Sequence, residues 1–268
     1  MVIFVVPAFN EAANIPELLR KTHEKMRCQD LKYRIILVND GSTDRTAEVV
    51  FALQKNFPVD LVNCYPNQGV GVAFRLGLSR ALQQSNGNDI IVTKEADNTS
   101  DLDILCEMLR KIALGYDVVL ASCYAPEGKV LGTTLDRRVL SYVANFLINF
   151  FFPIKGIHTY SSFYRAYRAE VLKRAFFAYK GNLIGETGFT CMVGMLINLH
   201  RLPIRIAEVP MVLRGNVRKG MSKMNRTKTI FGYLLLIGKK FAYRAREKSF
   251  LSMRYDNYSE AASDEIKI

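Results

Sequence analysis

The chain reads as an α/β protein with a mostly parallel sheet flanked by helices, and three observations carry that reading. Its first half alternates short β-branched runs with segments of helical period. The connections between them are short, which favours one doubly wound unit over several domains. Three of the strand ends also carry acids, and in a parallel sheet such ends converge on one edge, where open α/β folds bind ligands.

Strands are expected at 2–6, 34–38, 59–64, 90–93 and 118–121, with helices at 13–26, 43–55, 70–84 and 102–114. Ser42, Thr43 and Asp44 supply N-cap chemistry for the second helix, and Ser100 and Asp101 for the fourth. The second half is less regular. A helix with one very apolar side runs over 135–152 and is stopped by Pro153, and an extended segment covers 159–167. Helices follow at 169–177 and 186–199, then a strand at 204–209 ended by Pro210. A basic loop over 214–223 precedes an amphipathic helix at 227–246. The expected division is a main α/β domain over 1–226, an amphipathic, membrane-associated helix over 227–250, and a polar, disordered tail over 251–268.

The 268 residues suffice for a sizeable core, and 49% hydrophobic with 23% charged residues is ordinary globular composition. The net charge of +12 is high and points to phosphate-bearing partners or an anionic membrane surface. The basic residues cluster at 214–228 and 239–248 without any nucleic-acid-binding module, so no nucleic-acid partner is expected. Five scattered cysteines read as reduced core residues. The N-terminus opens directly into a strand without a leader pattern, and no apolar stretch approaches the roughly 20 residues that span a bilayer. A cytoplasmic protein lying against the cytoplasmic face of a membrane is expected.

The acids at the strand ends are Glu11 in Pro7-Ala8-Phe9-Asn10-Glu11, Asp40 in Asn39-Asp40-Gly41-Ser42, and the pair in Glu95-Ala96-Asp97. Glu11 and Asp40 suit the N–H edge of a nucleobase or ribose hydroxyls. Carboxylates buried at 95 and 97 need a compensating positive charge, which a hard divalent cation bridging a diphosphate would supply. Gly69-Val70-Gly71 with Gly77 lacks the lysine of a phosphate-binding P-loop, and lets the third helix pack close to the sheet. Arg214, Arg218 and Lys223 make a cationic loop able to close over a diphosphate as its charge grows. Arg137 and Arg138, beside Ser141 and Asn145, place positive charge at the start of the most apolar helix, an arrangement suited equally to a lipid phosphate and to a core helix with a basic end. His23, His158 and His200 have no ligand spacing.

These residues, in this order, resemble the family 2 glycosyltransferases of the Rossmann-like GT-A fold, in their dolichyl-phosphate mannose synthase-like, polyprenyl-phosphate glycosyltransferase branch. The likeness spans about 2–240 and includes Glu208-Val209-Pro210 and Gly220-Met221-Ser222-Lys223. It implies that Pro7, Phe9, Glu11 and Asp40, with Ser42, Glu95 and Ala96 beside them, hold the nucleoside. Asp97 and Glu95 would hold Mg²⁺ or Mn²⁺ on the diphosphate. Arg137, Ser141 and Arg165 would line the acceptor-phosphate side, and Ser222 and Lys223 would belong to the closing loop. Asp97, Glu95, Arg137, Arg165 and Lys223 are thus the implied catalytic set.

The resemblance implies inverting displacement at the anomeric carbon of a nucleotide sugar, with a polyprenyl phosphate as acceptor and a membrane protein or a second copy as a possible partner. The chain departs from the family pattern at Glu95, where Asp is usual, at Cys123, where Arg is usual, and at Thr159, where Asp is usual. The acid usual in the helix over 186–199 is also not evident. Two further readings stay open. One keeps the donor chemistry but uses a hydroxyl acceptor, for which Glu186 is the candidate base. The other is an inactive nucleotide-sugar-binding subunit.

Overall fold

The structure, a computed structural model, describes residues 1–221, 223–242 and 245–258. In chain order its main strands are β1 (Val2–Ala8), β2 (Tyr33–Asp40), β3 (Val59–Cys64), β4 (Ile90–Thr93), β5 (Val118–Ser122), β6 (Lys129–Leu131), β7 (Arg165–Arg168), β8 (Ile206–Pro210) and β9 (Val212–Arg214). The helices are α1 (Ile15–Cys28), α2 (Thr46–Leu53), α3 (Val70–Gln84), α4 (Leu105–Ala113), α5 (Leu135–Phe151), α6 (Ala169–Ala178), α7 (Cys191–His200), α8 (Arg226–Ala242) and α9 (Ala245–Asp256).

Seven strands form one sheet in the order β3-β2-β1-β4-β7-β5-β8, parallel except for β7, which runs antiparallel to both its neighbours. Side chains alternate across a strand, so β1 feeds two cores. Ile3 and Val5 join Phe74 and Leu78 of α3 on one face, while Val2, Phe4 and Val6 join Leu18 of α1 and Met108 of α4 on the other. Gly77 is where α3 meets the sheet: a Cβ there would lie 2.5 Å from Val5 and 2.9 Å from Val38. The glycines thus serve close packing, as the sequence suggests. Gly71 donates from its N–H to the Thr187 carbonyl at 2.8 Å.

Several expectations shift. Of the extended segment at 159–167 only the last residues form a strand, and it continues to Arg168 as β7. The helix expected from 186 begins at Cys191, because 186–190 make the loop that receives Gly71. Residues 251–256, expected to be disordered, are helical in α9. Tyr255 is buried there, with its carbonyl accepting from Arg174 Nε at 3.0 Å. Residues 259–268 lie outside the described ones. The parallel pair β6–β9 was not expected; it sets the start of the loop that returns to the active edge. No helix among the described residues is long and apolar enough to cross a membrane.

Candidate active site

The site forms where the strand order reverses. β1 pairs with β2 through Ala8↔Asn39 but with β4 only through Val5↔Thr93, so a crevice opens beyond the carboxyl ends of β1 and β4. Pro7 needs no donor there, since its side of β1 has already parted from β4.

Two loops are stitched together by the side chains at this edge. Asn10, in the left-handed region at φ 55°, accepts through Oδ1 from Thr43 N–H (2.8 Å) and Asp44 N–H (3.2 Å). Asn10 N–H donates to Ser42 Oγ at 2.9 Å, and Glu11 N–H to Thr46 Oγ1 at 2.9 Å. Asp44 accepts from the Thr46 N–H at 2.9 Å at the first residue of α2, although the N-cap position itself falls on Arg45 and not on the expected Ser42, Thr43 or Asp44. Asp40 accepts from Gln68 N–H (2.9 Å), Gly69 N–H (2.9 Å) and Asn67 Nδ2 (3.0 Å), pinning the entry to α3. Asp97 Oδ1 accepts from the Thr99 N–H (3.0 Å) and hydroxyl (2.7 Å), and its Oδ2 accepts from Arg218 Nε (2.8 Å) and a terminal guanidinium nitrogen. Glu95 accepts from Ser100 Oγ at 3.0 Å.

Glu11, Asp40 and Asp97 share one cavity of about 220 Å³. Pro7, Phe9, Glu95 and Ala96 line it as expected, together with Asn67, Gly69, Phe163, Phe189 and Lys223. Lys223 Nζ lies 3.8 Å from Glu11. Ser42 does not line the cavity; its hydroxyl is spent on holding Asn10. A second cavity of about 370 Å³ shares Glu95, Asp97, Phe163, Phe189 and Arg218 with the first. Arg137 and Ser141 line it, with Arg138 and Arg226. Phe163 and Phe189, stacked at 5.9 Å, form the wall between the two.

Arg165 is corrected. It is fully buried, donates to the carbonyls of Ser162 and Tyr160 at 2.8 Å each, and lines neither cavity, so it braces the turn before β7. Ser222 lies outside the described residues. Glu186 packs against Gly194 of α7 and lines neither cavity. Of the positions that depart from the family pattern, Cys123 lines the second cavity, whereas Thr159 sits in a polar cluster. Thr159 Oγ1 pairs with Ser122 Oγ at 2.7 Å, and the Thr159 N–H donates to Glu208 at 2.7 Å.

The charges at this edge are costly to bury. Burial pushes the Glu11 carboxyl above its ordinary range, against the pull of Asn14 and Lys223. Glu95 is pushed up by burial and then by the neighbouring Asp97. Lys94, invisible as a site residue in the sequence, is fully buried. Its Nζ donates to the Ser100 carbonyl at 2.7 Å and lies 5.0 Å from the Tyr164 ring, and burial lowers its affinity for a proton. Lys94 and Glu95 both act on Ser100 and so brace the loop that carries Thr99 to Asp97.

No group of three or more His, Cys, Asp or Glu gathers as a ligand cage among the described residues. Mg²⁺-type ions bound to nucleotides commonly take one or two protein carboxylates and draw the rest from phosphates and water. Asp97 and Glu95, hard oxygen donors on the shared wall, fit that sparse donor set.

Sheet order and site position define an α/β fold of the GT-A type. Glucosyl-3-phosphoglycerate synthase from Mycobacterium tuberculosis, solved with Mn²⁺, UDP and glucosyl-3-phosphoglycerate, shares it at TM-score 0.58 and 18% identity over 97% of this chain and 81% of that one. The profile described as Glycosyl transferase family 2 matches residues 3–176, and the chain belongs to that family; it is a glycosyltransferase. It is 27% identical over 225 residues to the polyprenol monophosphomannose synthase of Mycolicibacterium smegmatis, covering 83% of this chain and 80% of that protein. It is 28% identical over 231 residues to the dolichol-phosphate mannosyltransferase of Pyrococcus furiosus, covering 86% of this chain but 60% of that protein.

Proposed function

We propose that this glycosyltransferase moves a sugar, with inversion, from a nucleotide-sugar donor to a polyprenyl phosphate at the cytoplasmic face of a membrane. The observation that carries the reading is the junction of the two cavities at Glu95 and Asp97, one cavity rimmed by acids and aromatic rings, the other by Arg137, Arg138 and Arg226. Beside the arginines, α5 and α8 expose Tyr142, Phe146, Phe150, Phe231 and Leu234, so anionic headgroup and apolar chain would each meet a suitable surface. The names of the relatives, which act on polyprenol and dolichol phosphates, support the same acceptor class.

In this reading Pro7, Phe9, Glu11 and the loop pinned by Asp40 hold the nucleoside, and the diphosphate lies toward Asp97. Mg²⁺ or Mn²⁺ at Asp97 and Glu95 would supply positive charge against the leaving diphosphate. The acceptor phosphate oxygen attacks the anomeric carbon from the face opposite the diphosphate; the C–O bond to the leaving phosphate breaks and its electron pair stays with the nucleoside diphosphate. Arg137 and Arg138 orient the attacking phosphate, and Lys223 closes over the donor. A phosphate nucleophile is already ionised and needs no base, which accords with Glu186 lining neither cavity.

Purified protein given a panel of nucleotide sugars, Mn²⁺ and polyprenyl phosphate should yield a glycolipid detectable by mass spectrometry. Asp97→Ala should lower its formation by roughly 10²-fold or more. Unchanged turnover in Asp97→Ala, or product formed only with a water-soluble acceptor, would overturn the reading.

A further inference from the structure

Arg218 stands on the wall common to both cavities and holds Asp97 Oδ2 with two nitrogens of its guanidinium, Nε at 2.8 Å. The other carboxylate oxygen is taken by the Thr99 N–H and hydroxyl. Every oxygen of the acid best placed to grip a divalent ion is therefore already committed. A guanidinium fork and a cation coordinated at about 2 Å cannot share one carboxylate oxygen without intense like-charge repulsion. Two nearby cations are engaged elsewhere: Lys94 donates to the Ser100 carbonyl, and Lys223 faces Glu11.

The backbone beside Arg218 is anchored. Lys219 N–H donates to Asn14 Oδ1 at 3.0 Å, and Asn14 Nδ2 donates to the Lys219 carbonyl at 2.9 Å. A change of partner at Asp97 thus needs only a swing of the Arg218 side chain, which is about a quarter exposed against a tenth for Asp97.

We propose that Arg218 is a placeholder cation. It holds the Asp97 carboxylate in place, gives way when a divalent ion arrives with the donor, and so brings its guanidinium to the junction where diphosphate and acceptor phosphate meet. The inference rests on the reading of Asp97 as the metal carboxylate. Metal occupancy and the position of Arg218 are then two sides of one exchange, so the site binds its ion weakly until the diphosphate offers Arg218 a new anionic partner.

The test is Mn²⁺ binding to the nucleotide-free protein, followed by electron paramagnetic resonance. Arg218→Gln should bind Mn²⁺ roughly tenfold more tightly than the parent or better, because the competing charge has gone. Lys223→Gln, which removes a charge not in contact with Asp97, should change the affinity far less. In the parent, Mg²⁺ should shift the Arg218 Nε–H resonance, assigned by its loss in Arg218→Gln. Equal or weaker Mn²⁺ binding by Arg218→Gln would overturn the exchange, as would an equal gain in Lys223→Gln or an Nε–H signal unmoved at saturating Mg²⁺. Unchanged Mn²⁺ affinity in Asp97→Asn would instead remove the metal reading beneath it.

Discussion

Asp40 illustrates how a residue expected to touch the ligand first does something else. It is buried, and its carboxylate accepts from two backbone N–H groups, of Gln68 and Gly69, and from Asn67 Nδ2. Asp40→Ala removes all three bonds and strands both N–H groups where no side chain replaces the acceptor. Each stranded donor costs about 1–3 kcal/mol, and the recovered desolvation of the carboxylate offsets part of that loss, leaving a net destabilisation of about 3–5 kcal/mol. Asp40→Asn keeps the shape but turns one acceptor oxygen into a donor facing a donor, and should cost about half as much. Urea unfolding read by circular dichroism gives the free energies, with the m-value unchanged if only the native loop is affected. Binding of a nucleoside diphosphate, measured by calorimetry below the unfolding transition, should weaken in both variants because Asn67, Gly69 and Val70 form cavity wall. An Asp40→Ala protein within 1 kcal/mol of the parent would refute the view that this carboxylate organises the entry to α3.

Replacing Phe146 and Phe150, 60% and 70% exposed, by Asp should leave the fold intact and lower binding to anionic vesicles roughly tenfold or more in co-sedimentation, since two rings lose their apolar burial; unchanged vesicle binding would remove α5 from the membrane face. The raised carboxyls of Glu11 and Glu95 contribute stability that is fully present below the ordinary carboxylate range near pH 4.3 and is lost as pH climbs through their raised native values. Glu95→Gln should therefore flatten the fall in metal-free stability above that range, read as melting temperature against pH, and an identical slope in the variant would contradict the burial argument.

How much of this was legible depends on the range over which each cause acts. The central sheet was readable because its apolar runs and capping residues are local, and 59–64, 70–84 and 90–93 coincide with β3, α3 and β4. The acids at the strand ends were readable too, because a parallel strand fixes which of its ends faces the ligand edge. What was hidden depends on contacts far apart in sequence. Arg218 reaches Asp97 across 121 positions, and Phe163 and Phe189 meet only after β7 and the loop before α7 have packed. Tyr255 reads as part of a polar tail because the segment around it is charged, and α6 supplies the surface that orders it.

Arg165 shows where motif reasoning and strand geometry part. A cation beside the motif residues suggests phosphate binding, and Arg165 does lie at the active edge, in register with Thr93 at the end of β4. It lies there because β7 runs antiparallel, which brings its first residue rather than its last to that edge. Parity then decides the direction of the side chain. Arg165 shares a face with Tyr167, which packs in the core with Phe74 and Phe163, whereas Ala166 joins the opposite core. A guanidinium directed into that layer needs buried acceptors, and the turn at 160–162 provides two through the carbonyls of Tyr160 and Ser162. The same charge placed on the loop after β9, in Arg218, or on α5, in Arg137, meets a cavity instead. The identity of the residue is common to all three; the direction of the element that carries it sets one arginine in the scaffold and two at a cavity.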